Sequence, residues 1–188
     1  MKFNDRYMYT ILCEDRQTLE FIKHLLKIQG INTRKIYSII AESGIGSAEA
    51  FVRREYPKRL KAMRSFNYNK MALLVCTDAD RLSVEERKEQ LRTYCLESNI
   101  DDCPRRENEA VMVWIPKRSI ENWIHFFREY PKEVSEETVY PHGGNPDKCK
   151  EEARKMSYYL QNLKEYERVI DSLSIAKEEY LKLCNNQA

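Results

Sequence analysis

Apolar residues crowd the segment from Tyr7 to Cys13 (YMYTILC), and its β-branched and aromatic content predicts a strand. The period then lengthens. Leu19, Phe21, Ile22, Leu25, Leu26 and Ile28 mark one face of a helix, which Gly30 stops. Lys35 to Ile40 (KIYSII) reads as a second strand, and the SGIGS stretch that follows as a glycine-rich turn. Val52, Tyr56, Leu60 and Met63 line one side of a helix running from Ala48 to about Ser65. Pro57 falls inside it, where a proline kinks or restarts a helix. Met71 to Cys76 (MALLVC) is the third strand and the most apolar run of the chain. Ser83 caps the next helix, with Glu86 completing a capping box. Val111 to Ile115 (VMVWI) is the fourth strand, and Ile120 to about Arg128 the fourth helix.

Strand and helix in strict alternation predict βαβ units, hence an α/β fold with a parallel sheet of about four strands covered on both faces. Residues 1–130 hold this domain, and 131–188 form a loop and a C-terminal helical extension that packs on or beside it. Residues 131–150 are loop-like, and Asn145 with Pro146 marks a helix start. Ala153, Met156, Leu160 and Leu163 line the first of two charged helices, and the second runs from about Ser174.

A chain of 188 residues fits one domain with a helical appendage. Thirty-two Lys and Arg against 30 Asp and Glu leave a net charge of +2, which excludes a histone-like polycation and makes any basic patch local. The six cysteines are scattered without a CxxC, and His24, His125 and His142 do not pair with them at zinc-finger spacing. Buried, reduced thiols are the expectation. No apolar run approaches the roughly 20 residues of a membrane span, and MKFNDRYMYT lacks the core of a signal peptide. The expected setting is cytoplasmic, with no membrane partner.

The uncommon polar residues fall just past the strands. Glu14 follows the first, Gly44, Gly46 and Ser47 the second, Asp78 and Asp80 the third, and Lys117 and Glu121 the fourth. In an open parallel sheet these positions share one edge, where ligands bind. Glu14, Asp78, Asp80 and Glu121 are hard oxygen donors of the kind Mg²⁺ and Mn²⁺ choose. Two such ions about 3.5–4 Å apart can orient an attacking water and steady a leaving oxygen, and Lys117 can offset charge in the transition state. Each residue also has an ordinary reading. Asp78 can cap a helix, Glu14 and Glu121 can answer helix dipoles, and Lys117 can be a solvated lysine. The glycine turn lacks the Gly-Lys-Ser/Thr ending of a P-loop, but its backbone can approach a phosphate closely.

Between residues 51 and 65, Arg53, Arg54, Lys58, Arg59, Lys61 and Arg64 stand against the single acid Glu55. Arg54, Lys58 and Lys61 share a stripe. Such a run is either a solvated face or a track for a phosphate backbone. Phe66 and Tyr68 are either core residues or surfaces on which bases stack.

A strand ending in Glu14, a second βα unit and then LLVCTDAD, with Asp78 and Asp80 in its Asp-x-Asp, resembles the Toprim domain over roughly residues 7–130. That domain is shared by topoisomerases, bacterial primases, recombination-repair proteins and OLD-family nucleases. WIPKRSIENWI is similar to a stretch of small Toprim-like proteins, some linked to antiphage defence. Toprim proteins usually place glycine after the motif glutamate, and here Asp15 stands there. The resemblance implies a Toprim-like, Rossmann-like sheet and a nuclease that uses Mg²⁺ or Mn²⁺, in two ions, to hydrolyse DNA or RNA. It implies Glu14 as metal ligand or general base, Asp78, Asp80 and Glu121 as ligands, and Lys117 beside them. Gly44, Gly46, Ser47, Arg53, Arg54 and Lys58 would hold substrate phosphates. Two alternatives stand beside it: a non-catalytic nucleic-acid-binding or regulatory module, and a subunit of a larger complex whose partner protein is an ATPase, docked through residues 145–188.

Overall fold

The computed structural model describes residues 1–42, 46–65, 70–100, 109–141 and 145–187. Within them β1 (Met8–Cys13), β2 (Ile36–Ile40), β3 (Met71–Cys76) and β4 (Val111–Trp114) form one all-parallel sheet in the order β2-β1-β3-β4. The strands are apolar almost throughout because both faces are covered. Tyr9, Ile11, Cys13, Leu74, Cys76, Met112 and Trp114 face one core, shared with α1 (Arg16–Ile28), α4 (Ile120–Glu129), α5 (Lys150–Leu160) and α6 (Asp171–Asn186). Leu12, Leu73, Val75, Val111 and Val113 face the other, under α2 (Ala48–Ser65) and α3 (Val84–Glu97). The α/β class with a parallel sheet expected from the alternation is the one found, and it is Rossmann-like.

Register fixes where the loops emerge. Ile40, Cys13, Cys76 and Trp114 lie in one row across the sheet, so the residues that follow each strand share an edge. From β1 the chain moves out to β2, then returns past β1 to β3. The crevice between the ends of β1 and β3 is therefore the topological switch point, where open α/β sheets bind ligands.

The C-terminal helices belong to the core rather than to its rim. The Trp114 indole donates to the Ala176 carbonyl at 2.9 Å, and the Trp123 indole to Ser172 Oγ at 2.8 Å. Tyr180 and Leu183 are fully buried. Leu163, expected on the apolar side of α5, lies outside that helix and is exposed. Asn162, with φ +58°, takes the left-handed position past the helix end, and the Leu163 N–H returns to the Tyr158 carbonyl at 2.8 Å. This is a Schellman stop, the same device that Gly30 supplies to α1 with φ +94°. Pro57 does not restart its helix. α2 runs unbroken from Ala48 to Ser65 with Pro57 buried, giving up one backbone bond. The Ser83–Glu86 capping box is formed. Cys13, Cys76, Cys95, Cys149 and Cys184 are free and buried, and Cys103 lies outside the described residues. No described helix is long and apolar enough to cross a membrane.

Candidate active site

Glu14, one residue beyond β1, reaches across the switch point to β3. Its Oε1 accepts the Thr77 hydroxyl at 2.5 Å and the Asp78 N–H at 2.8 Å. Thr77 is itself buried, so the pair locks the two strand ends together. Asp15, next along, is extended and caps α1 by accepting the Thr18 N–H at 2.8 Å. An extended residue needs no glycine, so Asp15 stands there without backbone strain.

Asp78 is buried, with 9% of its surface exposed, while the Asp80 side chain is 59% exposed. The two acids of Asp-x-Asp thus meet different solvents. Asp80 adopts φ +57°, a left-handed conformation that aspartate tolerates better than most residues, and it turns the chain toward α3. Two bonds to the end of β4 and the residues just past it zip this loop down: the Thr77 N–H to the Trp114 carbonyl at 3.1 Å, and the Ala79 N–H to the Pro116 carbonyl at 2.8 Å.

Electrostatics set these acids apart. Burial first, then the charges of Glu14, Asp15, Glu121 and Asp80, push the Asp78 carboxyl well above the ordinary aspartate value. Burial also raises Glu14, against the bonds from Thr77 and Asp78, with Asp80 adding to the rise and Arg87 opposing it. The acids therefore crowd one crevice closely enough to disfavour one another's ionised forms. Cys13 and Cys76 lie directly beneath, and burial pushes both thiols up.

Glu121, in the first turn of α4, is buried. It lines a cavity of about 130 Å³ with Gln17, His125, Arg128, Tyr140 and Lys148, and its charge still reaches Asp78. The Lys117 ammonium rests on the Leu82 carbonyl at 3.0 Å and on Glu137 at 3.3 Å. Reaching toward Glu14 and Asp78 requires releasing both. Among the described residues, the group of three ligand-type side chains whose donor atoms all lie within 4.8 Å of one another is Glu20, His24 and Asp147. Glu14, Asp78 and Asp80 share the crevice at wider spacing, and closing on one ion requires Asp80 to turn from its partner Arg87.

Gly46 and Ser47 precede α2, and the Ser47 hydroxyl accepts the Ala50 N–H at 3.4 Å, capping the helix. Gly44 lies outside the described residues, as do Phe66 and Tyr68. Along α2, Arg54, Lys58 and Lys61 are exposed, the stripe the spacing predicts. Its other cations are committed within the fold. Arg53 lies 3.5 Å from Glu49 and over the Tyr94 ring, Arg59 binds Glu55, and Arg64 binds Glu109. Lys58 shares Glu55 at 2.7 Å while staying largely in solvent.

Arg87 is the residue the sequence reading passes over. Almost wholly buried, it binds Glu49 at 2.6 Å, Asp80 at 3.3 Å and Gln90 at 2.8 Å, tying the starts of α2 and α3 to the acidic loop. The signal was present: Val84, Leu91 and Cys95 mark the buried stripe of α3, and Arg87 is the charged residue on it. Arg118 adds a further clasp, donating to the Asp80 carbonyl at 2.8 Å.

No protein-family model matches this chain, and comparison with curated proteins and with solved structures finds no match.

Proposed function

We propose that this protein is a divalent-metal-dependent nuclease of Toprim type, hydrolysing nucleic-acid phosphodiesters. The observation that carries the reading is the meeting of Glu14 and Asp78 at the switch point, with Asp78 buried among like charges that include Asp80. Such crowding is costly for a protein alone and is relieved by a divalent cation. The all-oxygen donor set fits Mg²⁺ or Mn²⁺, which when bound activates water and neutralises charge on a phosphate. Asp78 and Asp80 hold the metal, and Glu121 supports them from α4. Glu14, pinned on one oxygen by Thr77 and the Asp78 amide, serves as ligand or takes the proton of the attacking water. Lys117 swings from Glu137 to meet the developing negative charge. Arg54 and Lys58, exposed on α2, carry the strand beyond the cut together with the Gly46–Ser47 turn. A role in antiphage defence belongs to this reading through the Toprim resemblance alone.

A second reading, a non-catalytic binding module, draws on one observation. Asp80 is held by Arg87 and Lys117 by Glu137, so two of the expected catalytic groups are occupied.

One assay separates them. The pure protein is incubated with single- and double-stranded DNA and RNA in Mg²⁺ or Mn²⁺, beside Asp78→Ala/Asp80→Ala. The nuclease cleaves at least one substrate, and the double variant loses cleavage by orders of magnitude while still binding it. Binding without cleavage under every condition selects the second reading.

A further inference from the structure

The Glu20, His24 and Asp147 group lies away from the sheet edge, where α1 meets the start of the C-terminal segment. Glu20 and His24 stand four residues apart on α1, which sets them on one helix face, one turn apart. Asp147 comes from a 3-10 turn, Pro146–Cys149, that leads into α5. Its backbone is held in place. Asn145 Oδ1 accepts the Asp147 N–H at 2.9 Å, and the Gln17 amide, also on α1, donates to the Pro146 carbonyl at 3.4 Å. Residues far apart in sequence thus bring one donor atom each to within 4.8 Å of the other two.

We propose that Glu20, His24 and Asp147 bind a divalent transition-metal ion of the Zn²⁺ type, fastening the turn before α5 to α1. Ligands about 2.0–2.2 Å from one tetrahedral ion lie about 3.3–3.6 Å apart, so the three side chains draw together to complete the site. One imidazole nitrogen with two carboxylate oxygens is a donor set that Zn²⁺ and Co²⁺ accept and that Mg²⁺, which favours oxygen alone, does not select. A second observation points the same way. His24 Nε2 is shut off from solvent with no hydrogen-bond partner among the described residues, and enclosed polar atoms are nearly always satisfied. Lys23 binds Glu20 Oε1 at 3.1 Å, and the carboxylate has its second oxygen for an ion. Burial first, then the charge of Lys27, hold His24 below the usual imidazole value, and the charges of Glu20 and Asp147 oppose them. Cys149 is buried close by, but its thiol donates to the Pro146 carbonyl at 3.1 Å, so it is not counted as a ligand. Zinc-finger spacing is absent because the site is assembled by tertiary contact rather than along one segment.

An ion that binds only the folded form stabilises it by mass action. Chelator-stripped protein is titrated with Zn²⁺ and with Co²⁺ under excess Mg²⁺, by calorimetry and by Co²⁺ visible absorption. The expected result is uptake of one equivalent, a higher melting temperature and slower proteolysis between residues 140 and 150. His24→Ala and Asp147→Asn should each weaken Zn²⁺ binding by at least about tenfold. Asp147 is exposed, so its variant keeps the fold and decides the matter if His24→Ala does not fold. Asp78→Ala should take up Zn²⁺ as the unaltered chain does, which separates this site from the proposed nuclease centre. Absence of Zn²⁺ and Co²⁺ uptake overturns the proposal. So does uptake that Asp147→Asn leaves intact, or uptake that Asp78→Ala abolishes.

Discussion

Glu55 on α2 and Asp78 after β3 are both carboxylates sheltered from water, but their neighbours differ in kind. Glu55 is clasped by Lys58 at 2.7 Å and Arg59 at 2.8 Å, and the Lys58 bond above all holds its carboxyl below the usual glutamate range. Glu109 is treated alike, with Arg64 donating Nε to one oxygen at 2.6 Å and Nη2 to the other at 3.0 Å. Asp78 has acids around it instead, and its carboxyl is driven up. Acids that serve structure are neutralised by the chain itself, whereas Asp78, buried among like charges, leaves a demand for positive charge that a bound cation can meet.

The contrast is broken most severely by removing an arginine from the clasped set. Arg64→Ala should destabilise the protein by about 3 kcal/mol in urea unfolding, because it strips the arginine from a carboxylate buried to 2% exposure. A loss below about 1 kcal/mol would place Glu109 among the exposed pairs that contribute little.

Asp78→Asn acts in the opposite direction. Its raised folded value means that the native state binds the proton more tightly than the unfolded chain does. Stability is therefore lost as pH rises from the unfolded aspartate range through the folded one. The neutral amide escapes that loss, so in chelator at pH 7 the variant should melt about 3 °C or more above the parent. The advantage should fade as pH falls through about 4 and vanish below about pH 3, where the parent carboxyl is protonated in both states. A lower melting temperature at pH 7 would show that Asp78 is satisfied by its surroundings.

Glu55→Gln should give the smallest change, a loss of about 0.5–1 kcal/mol, since its lysine and arginine partners are well exposed. Here the sign reverses. The depressed folded value makes the contribution present above the unfolded glutamate range and lost as pH falls through the folded one. Parent and variant should therefore converge in acid, and thermal scans across pH would show it.

The strands were legible to within a residue because a doubly covered sheet writes its interior as unbroken apolar runs, and MALLVC is the plainest of them. Gly30 and Ser83 were legible because local bonding chemistry alone makes them stop and start helices. Leu163 was not, since helical spacing carries on past Leu160 and only the left-handed turn at Asn162 ends the helix. At the candidate site, the grouping of Glu14 with Asp78 could be read from strand ends. The division of Asp78 from Asp80 could not, because it depends on Arg87 reaching back from α3 to the loop. The Glu20, His24 and Asp147 group was beyond reach for the same reason: no local pattern links α1 to residue 147.

The parallel sheet also dictates an order of events as the chain folds. Met8 pairs with Met71, and Leu73 with Val111, so each central pairing closes a long loop before any contact repays the lost entropy. Trp114 finds its acceptor on Ala176 only when the last helix docks. A ribosome releasing this chain would leave the β4 side of that apolar face uncovered until residues 171–186 emerged, and the nascent protein would be most prone to aggregation during that interval.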